Sequence, residues 1–377
     1  MTTTAEKPKY IQLADHLRER IHGGDLKIGD RLPSYAEMYR EFGATTATVQ
    51  RVCNLLEQEN LIERRSGSGL YVAEPKRELT GNIGFIGGVN YKSPKLPFNQ
   101  ILMEAMQQSA VAGQRHLLYL GTDQDWDVEA CGKVDGVVFC NIEDTQSIQR
   151  KLPLHLPRVS VLTIVDGVMS VGVDDYRGAQ MAVRYLLERG HRRIACLMEK
   201  QPSEARRRYG GYRDALVEAG IEIDSHWVRL TESLDTKKWT QFTTQPYREW
   251  AQQQMQEWLG NGWNETGCTA ILVQNEVAAI GVMQVLRKEG ISVPEQVSVM
   301  GFDGTELCDF VSPHLSAVAL PLAEIGVKAI EILNRQIAGE QFSEQAVMLP
   351  LSLRQGESVA SVEPVSEPAV KVLLESV

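Results

Sequence analysis

The chain has 377 residues, of which 43% are hydrophobic and 23% are charged, the proportions of an ordinary globular protein. This length is enough for two or three domains with a sizeable core. No apolar run reaches the ~18 residues that a membrane-spanning helix needs, and the first ten residues lack the apolar core of a secretory signal. We therefore expect no membrane association and a cytoplasmic location.

Charge is divided unequally along the chain, whose formal net charge is −10. The first 77 residues carry 12 basic and 11 acidic side chains, whereas the remainder carries 27 and 38. The acidic remainder is expected to repel DNA, so any DNA contact belongs to the N-terminal module. Because that module is nearly neutral, tight binding is expected to need two copies, and hence a homodimer.

The N-terminal module begins with two helices. The first has its apolar residues on one helical face and ends at Gly23 and Gly24; these residues are Tyr10, Leu13, Ala14, Leu17 and Ile21. Ser34 and Glu37 have the spacing of a capping box, which predicts the start of a second helix. Gly43 is expected to stop that helix.

A third helix and a β-hairpin follow. Thr45 or Thr46 can cap the helix, and its buried face is predicted to hold Val49, Val52, Cys53 and Leu56. A strand is expected from Leu61, a turn over residues 66–69 and a returning strand over Leu70–Val72. Arg64 and Arg65 lie near the hairpin tip, where cations can meet phosphate. This arrangement of two helices, a turn and a basic wing is typical of domains that bind in a DNA groove.

Several motifs in this module fall in order at specific spacings. They are Gly29-Asp30-Arg31-Leu32-Pro33-Ser34, Phe42-Gly43-x-Thr45, Leu56-Glu57, Leu61-Ile62 and Gly67-Ser68-Gly69-x-Tyr71-Val72. Over residues 8–75 the chain resembles the GntR-type winged helix-turn-helix, and this implies a double-stranded DNA operator as partner. The expected DNA-contacting residues are Ser34, Thr45, Thr46, Ala47, Gln50, Arg51, Arg64, Arg65, Gly67 and Ser68. The family often has arginine at positions 36, 46 and 50, so its operator preference does not transfer to this chain.

The pattern beyond residue 80 differs from that of the N-terminal module. Apolar strands alternate with helices, which predicts an α/β fold with parallel sheets covered on both faces, in two lobes. The predicted strands are 81–87, 116–120, 134–140, 159–162, 171–173, 194–198, 228–230, 270–273, 297–301 and 347–353. The predicted helices are 99–112, 178–189, 206–219, 247–259, 277–289 and 322–337. We expect a head over residues 1–75, a linker over 76–80, a body over 81–355 and a tail over 356–377. The tail has no clear structural pattern, which is consistent with a mobile segment.

Four motifs in the body point to a second family. They are Val173-Asp174-Asp175-Tyr176-x-Gly178 with its continuation to Ala195, Arg208-x-x-Gly211-Tyr212, Asn275-Glu276-x-Ala278-Ala279-x-Gly281, and Val293-Pro294 through Gly301-Phe302-Asp303. Over about 81–353 the chain resembles LacI/GalR-type regulators, and with its GntR-type head it is similar to arabinose-responsive repressors. The resemblance implies a periplasmic-binding-protein-like type I body with two Rossmann-like lobes, three crossovers, a ligand in the cleft and a homodimer.

Polar side chains follow several predicted strands. Ligands of open parallel sheets bind at the carboxyl ends of strands, where Asp303, Asn275 and Asn141 are expected to lie. Arg206 and Arg208 open a helix after another strand. Carboxylate, amide and guanidinium groups match the paired hydroxyls of a sugar. An aromatic ring covers the apolar face of a sugar, and the candidates for this are Tyr247 and Phe98.

Each candidate also has a simpler interpretation. Asp303 can cap a turn, and Asn275 can cap the following helix. Arg206, Arg207 and Arg208 form a charged run, and such runs are usually solvated. Tyr247 and Phe98 are aromatic residues of the kind that usually fills a core, so these alternatives stay open at this stage.

The competing class of protein is a carbohydrate-processing enzyme fused to a DNA-binding module. The sequence has no G-x-G-x-x-G, no P-loop, no H-E-x-x-H and no G-x-S-x-G. The six cysteines form no C-x-x-C pair and the seven histidines have no metal spacing, so no cofactor and no metal are expected. A purely structural or partner-binding protein is a third class. The sequence favours a DNA-binding repressor. Its operator affinity is expected to be controlled by a small molecule, and this molecule is expected to be a sugar.

Overall fold

The computed structural model describes residues 8–59, 61–65, 68–73, 79–88, 97–122, 126–127, 129–140, 142, 145–146, 151–153, 156–201, 203–232 and 245–363. The predicted site residues Gly67 and Asn141, and linker residues 76–78, lie outside these ranges. The chain divides into two compact units, a head up to Leu79 and a body from Thr80 onward.

The head is a three-helix winged unit, as predicted. It contains α1 (Lys9–His22), α2 (Tyr35–Phe42), α3 (Thr46–Gln58), β1 (Ile62–Arg65) and β2 (Gly69–Val72), with the two strands antiparallel. The capping box at α2 is formed, because the Ser34 hydroxyl accepts a hydrogen bond from the Glu37 N–H and the Glu37 carboxylate accepts one from the Ser34 N–H (2.6 Å). The predicted apolar faces of α1 and α3 meet in one core.

The body contains two six-stranded sheets among its described residues. The first sheet has the order β13-β7-β6-β5-β3-β4, and each neighbouring pair is parallel. Its strands are β3 (Asn82–Gly87), β4 (His116–Thr122), β5 (Gly136–Cys140), β6 (Arg158–Val161), β7 (Met169–Val173) and β13 (Ala346–Leu349). Helices α4 (Pro97–Ala112) and α10 (Leu322–Ile337) pack on it and share its core. We call this sheet and its helices the first lobe.

The second sheet has the order β14-β12-β11-β10-β8-β9, with β14 antiparallel to its neighbour. Its strands are β8 (Ile194–Glu199), β9 (Val228–Thr231), β10 (Ala270–Val273), β11 (Ser298–Asp303), β12 (Ser316–Ala319) and β14 (Ser352–Arg354). Its helices are α5 (Asp175–Glu188), α6 (Ser203–Glu218), α7 (Gln245–Gly260), α8 (Trp263–Thr266) and α9 (Glu276–Lys288). Alternate residues of β8 face α5 and α6 on one side and α7 and α9 on the other, so helices cover both faces of this second lobe.

The described chain crosses between the lobes three times, as the family resemblance implied. The crossings lie between β7 and α5, between β12 and α10, and between β13 and β14. The last one corrects a prediction, because residues 347–353 were expected to form one strand. The chain instead changes sheets around Pro350, whose missing N–H ends the pairing of β13, and a continuous apolar run does not reveal that change.

The C-terminal segment corrects a second expectation. A tail was expected from residue 356, but residues 356–362, which we call the strap, are hydrogen-bonded to the second lobe. The Val299 N–H donates to the Ser358 carbonyl (2.8 Å), and the Val362 N–H donates to the Arg189 carbonyl (2.8 Å). Buried His191 bridges the Thr269 hydroxyl (2.8 Å) and the Ala360 carbonyl (3.1 Å). The body therefore extends past 355, although its polar sequence gave no periodic signal.

No helix in the described part of the chain combines the length and the apolar character needed to cross a lipid bilayer.

Replacing Ser358 tests the strap. The fully buried Ser358 hydroxyl donates to the Val299 carbonyl (2.6 Å) and accepts from the Ser316 N–H (2.8 Å). Ser358→Ala is expected to lower the free energy of unfolding by about 1–3 kcal/mol, because two buried backbone groups lose their partner. Urea unfolding measures this, with exposed Ser361→Ala as the matched control. Equal stability of the two variants would contradict a structural role for the strap.

Candidate functional sites

The first candidate site is the exposed face of α3 in the head. Thr46, Ala47, Gln50 and Arg51 are exposed there, whereas the opposite face is buried. The Thr45 hydroxyl caps the helix by accepting a hydrogen bond from the Thr48 N–H. The predicted residues are thus brought to one surface at the N-terminal half of the helix, the part that a helix-turn-helix presents to base edges.

The wing adds two exposed arginines. Arg64 Nε lies 3.2 Å from a Glu57 carboxylate oxygen, and Arg65 Nε lies 2.7 Å from one of Glu63. The Arg65 guanidinium also lies 4.4 Å from the Tyr71 ring centroid. Exposed ion pairs of this kind contribute only about 0–1 kcal/mol, so both arginines can exchange a carboxylate for a phosphate at little cost.

The other predicted head residues have local structural roles. Ser34 is exposed but caps α2, and the Ser68 hydroxyl lies 2.5 Å from the Tyr71 hydroxyl. Sequence reasoning did not single out Arg31 as a contact, although it stands in the first quoted motif. Its exposed guanidinium lies against Gly69, where a side chain would crowd it. Arg31 therefore adds a third cation beside the wing.

The second candidate site is a cleft in the body. It encloses a cavity of about 110 Å³ lined from both lobes. Five of the seven residues predicted for it line this cavity: Phe98, Arg208, Tyr247, Asn275 and Asp303. They come from the start of α4, the second turn of α6, the start of α7, and the ends of β10 and β11.

Arg208 lies at the centre of this cleft and is buried, with 8% of its side chain exposed. Its Nε donates to Asp175 (2.9 Å), its Nη1 donates to the Gln274 carbonyl, and its Nη2 lies 3.9 Å from Asp303. Its guanidinium carbon also lies 4.1 Å from the Phe302 ring centroid. The neighbouring carboxylates raise the pKa of Arg208 although burial opposes this, so it stays a cation.

Asp303 is the last residue of β11 and has an unusual backbone conformation. Its φ is +82°, a region that non-glycine residues rarely adopt and that recurs at ligand sites. Burial raises the pKa of its carboxyl group to about 7, against the attraction of Arg208 and with further repulsion from Glu276, Asp175 and Glu204. At neutral pH this group can therefore donate or accept a hydrogen bond.

The start of α9 supplies an amide and a second buried carboxyl group. The Asn275 side-chain oxygen accepts from the Ala278 N–H (2.8 Å), so the capping interpretation is correct, and the residue also lines the cavity. Glu276 accepts from the Thr305 N–H (2.7 Å), and burial raises its pKa. Within the described residues no hydrogen bond uses Asn275 Nδ2, which leaves its N–H groups for a ligand.

The structure does not bring all predicted residues together. Arg206 is exposed and donates to Gln201 (2.7 Å), because two helical positions from Arg208 place it on another face of α6. Arg207 is paired with Asp174 (2.9 Å) and is also exposed. The structure adds Asp175, Glu204 and Glu276, which the sequence did not assign to the site. Asp175 and Glu276 stand inside the quoted motifs, whereas no motif contains Glu204.

Two family models match the chain. Residues 9–72 match bacterial regulatory proteins of the gntR family, and residues 183–359 match a periplasmic binding protein-like domain. The arabinose metabolism transcriptional repressor of Geobacillus stearothermophilus is 26% identical over 347 residues, covering 88% of this chain and 91% of that protein. The HTH-type transcriptional regulator DegA of Bacillus subtilis is 29% identical over 271 residues, covering 68% and 75%.

Solved structures of transcription regulators share the fold of the body. The complex of the transcriptional regulator CelR with cellobiose superposes with a TM-score of 0.64 at 22% identity, covering 84% of this chain and 91% of that one. A LacI family transcriptional regulator from Enterococcus faecium with bound ribose superposes with a TM-score of 0.62 at 24% identity, covering 75% and 100%.

These findings identify the chain as a DNA-binding transcription regulator. More particularly, it joins a winged helix-turn-helix head that matches the gntR family to a body that matches a periplasmic binding protein-like domain. Its relatives are regulators and not enzymes, so the enzyme alternative has no support.

The raised pKa of Asp303 makes body stability depend on pH. Between its ordinary value of 3.8 and about 7, the folded state holds a proton that the unfolded state releases. Its contribution to stability is therefore complete below pH 3.8 and is lost as the pH rises through about 7. Relative to Asp303→Asn, the free energy of unfolding should fall by about 4 kcal/mol across this window. Tryptophan fluorescence during urea unfolding measures it, and a pH-independent difference would contradict the assigned environment.

Proposed function

We propose that this regulator is a repressor whose operator affinity changes when a carbohydrate binds in the cleft of the body. One observation carries the proposal: a guanidinium, carboxyl groups, an amide and two aromatic rings converge on one small cavity. Each hydroxyl of a sugar donates one hydrogen bond and accepts others, so it pairs well with such mixed groups. The relative named for arabinose and the structures with bound cellobiose and ribose agree with this class.

The effector site consists of Asp303, Asn275, Arg208, Tyr247 and Phe98 in this proposal. Asp303 and Arg208 hold neighbouring hydroxyls, and Asn275 donates through its free amide. The rings of Tyr247 and Phe98 cover the apolar face of the sugar. Because these residues come from both lobes, a bound sugar favours the closed cleft by its differential affinity for the two states.

Lobe movement reaches the linker through a buried carboxylate. The Asp135 side chain accepts hydrogen bonds from the Thr80 N–H (2.7 Å), the Thr80 hydroxyl (2.9 Å) and the Gly81 N–H (2.9 Å), and it pairs with Arg115. These bonds hold the pKa of Asp135 below its usual value although burial opposes them. The end of the linker is thus fixed to the first lobe, and we infer that rotation of this lobe changes the geometry available to the head.

Operator binding is assigned to the α3 surface and the wing, by Thr45, Thr46, Ala47, Gln50, Arg51, Arg64 and Arg65. We propose that the active form is a cytoplasmic homodimer, with two heads on two half-sites. The nearly neutral head supports this, and so does an apolar groove of the second lobe. The groove lies between α9 and residues 310–313, and its rim residue Phe310 is 75% exposed.

A titration of selected DNA tests operator binding, stoichiometry and control together. A duplex enriched from a random pool by the full chain should bind two chains, and at least one of arabinose, ribose, galactose or cellobiose should change its affinity about tenfold or more. Asp303→Ala should abolish the response and keep DNA binding, whereas the control Arg206→Ala should keep both.

Fluorescence anisotropy of the labelled duplex measures these quantities. If no sugar changes the affinity in either direction, the allosteric part of the proposal fails. If Asp303→Ala responds like the wild type, the assigned effector site is wrong. Binding of a single chain per duplex would contradict the proposed homodimer.

A further inference from the structure

The cleft is unusually acidic for a site that holds a buried arginine. We propose that it selects uncharged sugars and rejects sugars that carry a phosphate or a carboxylate, and that Glu204 is a residue that sets this specificity. This inference rests on the proposed effector site and narrows its ligand class by charge.

The acidic character follows from the lining residues. Four carboxyl groups line the cavity, from Asp175, Glu204, Glu276 and Asp303. Among the described lining residues, Arg208 is the only cation. A phosphorylated ligand would thus place one or two further negative charges in a largely dehydrated space where negative groups already predominate.

The guanidinium of Arg208 is already partly engaged, and its remaining N–H groups lie beside a carboxyl group. Its Nε and Nη1 donate to Asp175 and the Gln274 carbonyl, and one face of its plane lies on the Phe302 ring. A bidentate grip on a phosphate needs two donors side by side. The edge that keeps free N–H groups lies beside Asp303, whose carboxyl oxygen is 3.9 Å from Nη2, so a phosphate bound there would approach that carboxyl group as well.

The positive ends of the nearby helices are also compensated. Asn275 caps α9 by accepting from the Ala278 N–H, and Glu276 adds a carboxyl group in the first turn of that helix. At the start of α6, Glu204 supplies a negative charge in the first turn. These two helix starts therefore do not form the anion site that an uncapped helix would offer.

Glu204 differs from the other three carboxyl groups in its position. It is half-buried on the first turn of α6, one helical turn before Arg208, and its charge acts on both Arg208 and Asp303. Asp175 and Glu276 are committed to Arg208 and Thr305. Glu204 thus adds negative potential at Arg208 and Asp303, and it accepts a long hydrogen bond from the Ser203 hydroxyl (3.5 Å).

Calorimetric titration of the full chain with matched pairs tests the inference. The probes are ribose with ribose 5-phosphate, glucose with glucose 6-phosphate, and galactose with galacturonate. At least one uncharged member should bind, and its anionic partner should bind on the order of 30-fold more weakly. Glu204→Gln should reduce that ratio several-fold and keep binding of the uncharged sugar. The control Glu222→Gln removes the same charge from an exposed position outside the cavity and should leave the ratio unchanged.

The outcomes separate this inference from the proposed function. Binding of an anionic sugar as tight as its uncharged partner, or tighter, overturns the inference and keeps the effector site. An unchanged ratio in Glu204→Gln removes the role of that residue. If none of the six probes binds, and neither arabinose nor cellobiose binds in the same calorimeter, the proposed carbohydrate site itself fails.

Discussion

The buried guanidinium of Arg208 is the interaction on which the cleft depends. A charge removed from water is stable only when its donors have partners, and the partners of Arg208 come from three other elements. Asp175 begins α5, Gln274 follows β10, and Phe302 belongs to β11. Their positions are therefore coupled, because displacing any one of them removes one of the contacts that stabilise a buried cation. Asp303, strained at the end of β11, is held at the edge of the same cluster.

This arrangement connects the cleft with movement between the lobes. Asp175 follows directly on the crossing from β7, and Leu320, which lines the cavity, lies at the next crossing. A ligand that contacts Arg208 and Asp303 in the second lobe gains its contact with Phe98 of the first lobe only when the lobes approach. The free energy available for control of DNA binding equals that difference in affinity.

The sequence predicted the parts of the structure that have periodic or motif signals. The three helices and the hairpin of the head are present, and α10 has the predicted bounds. Helix starts were predicted too late in the body, as at α5, which begins at Asp175 and not at residue 178. Polar residues at a helix start lie before the first apolar repeat, so an apolar pattern does not detect them.

The remaining differences come from contacts that no local pattern encodes. The strap has no regular secondary structure, and its hydrogen bonds go to residues far away in sequence, such as Val299 and Arg189. In the cleft, Arg206 and Arg208 have equal chemistry, and only helix geometry separates the exposed one from the buried one. Glu204 could not be assigned to the site from the sequence, because its proposed effect is the electrostatic potential that it adds at Arg208 and Asp303.

The most direct test of the central claim is sugar binding to Arg208→Lys. Lysine keeps the positive charge but lacks the planar guanidinium that donates to both Asp175 and the Gln274 carbonyl while one face stacks on Phe302. With the sugar that changes operator affinity, calorimetry should show at least about 100-fold weaker binding to this folded variant, and unchanged binding to the exposed control Arg207→Lys. Wild-type affinity in Arg208→Lys would contradict the account, because the cleft would then not depend on the geometry of its buried arginine.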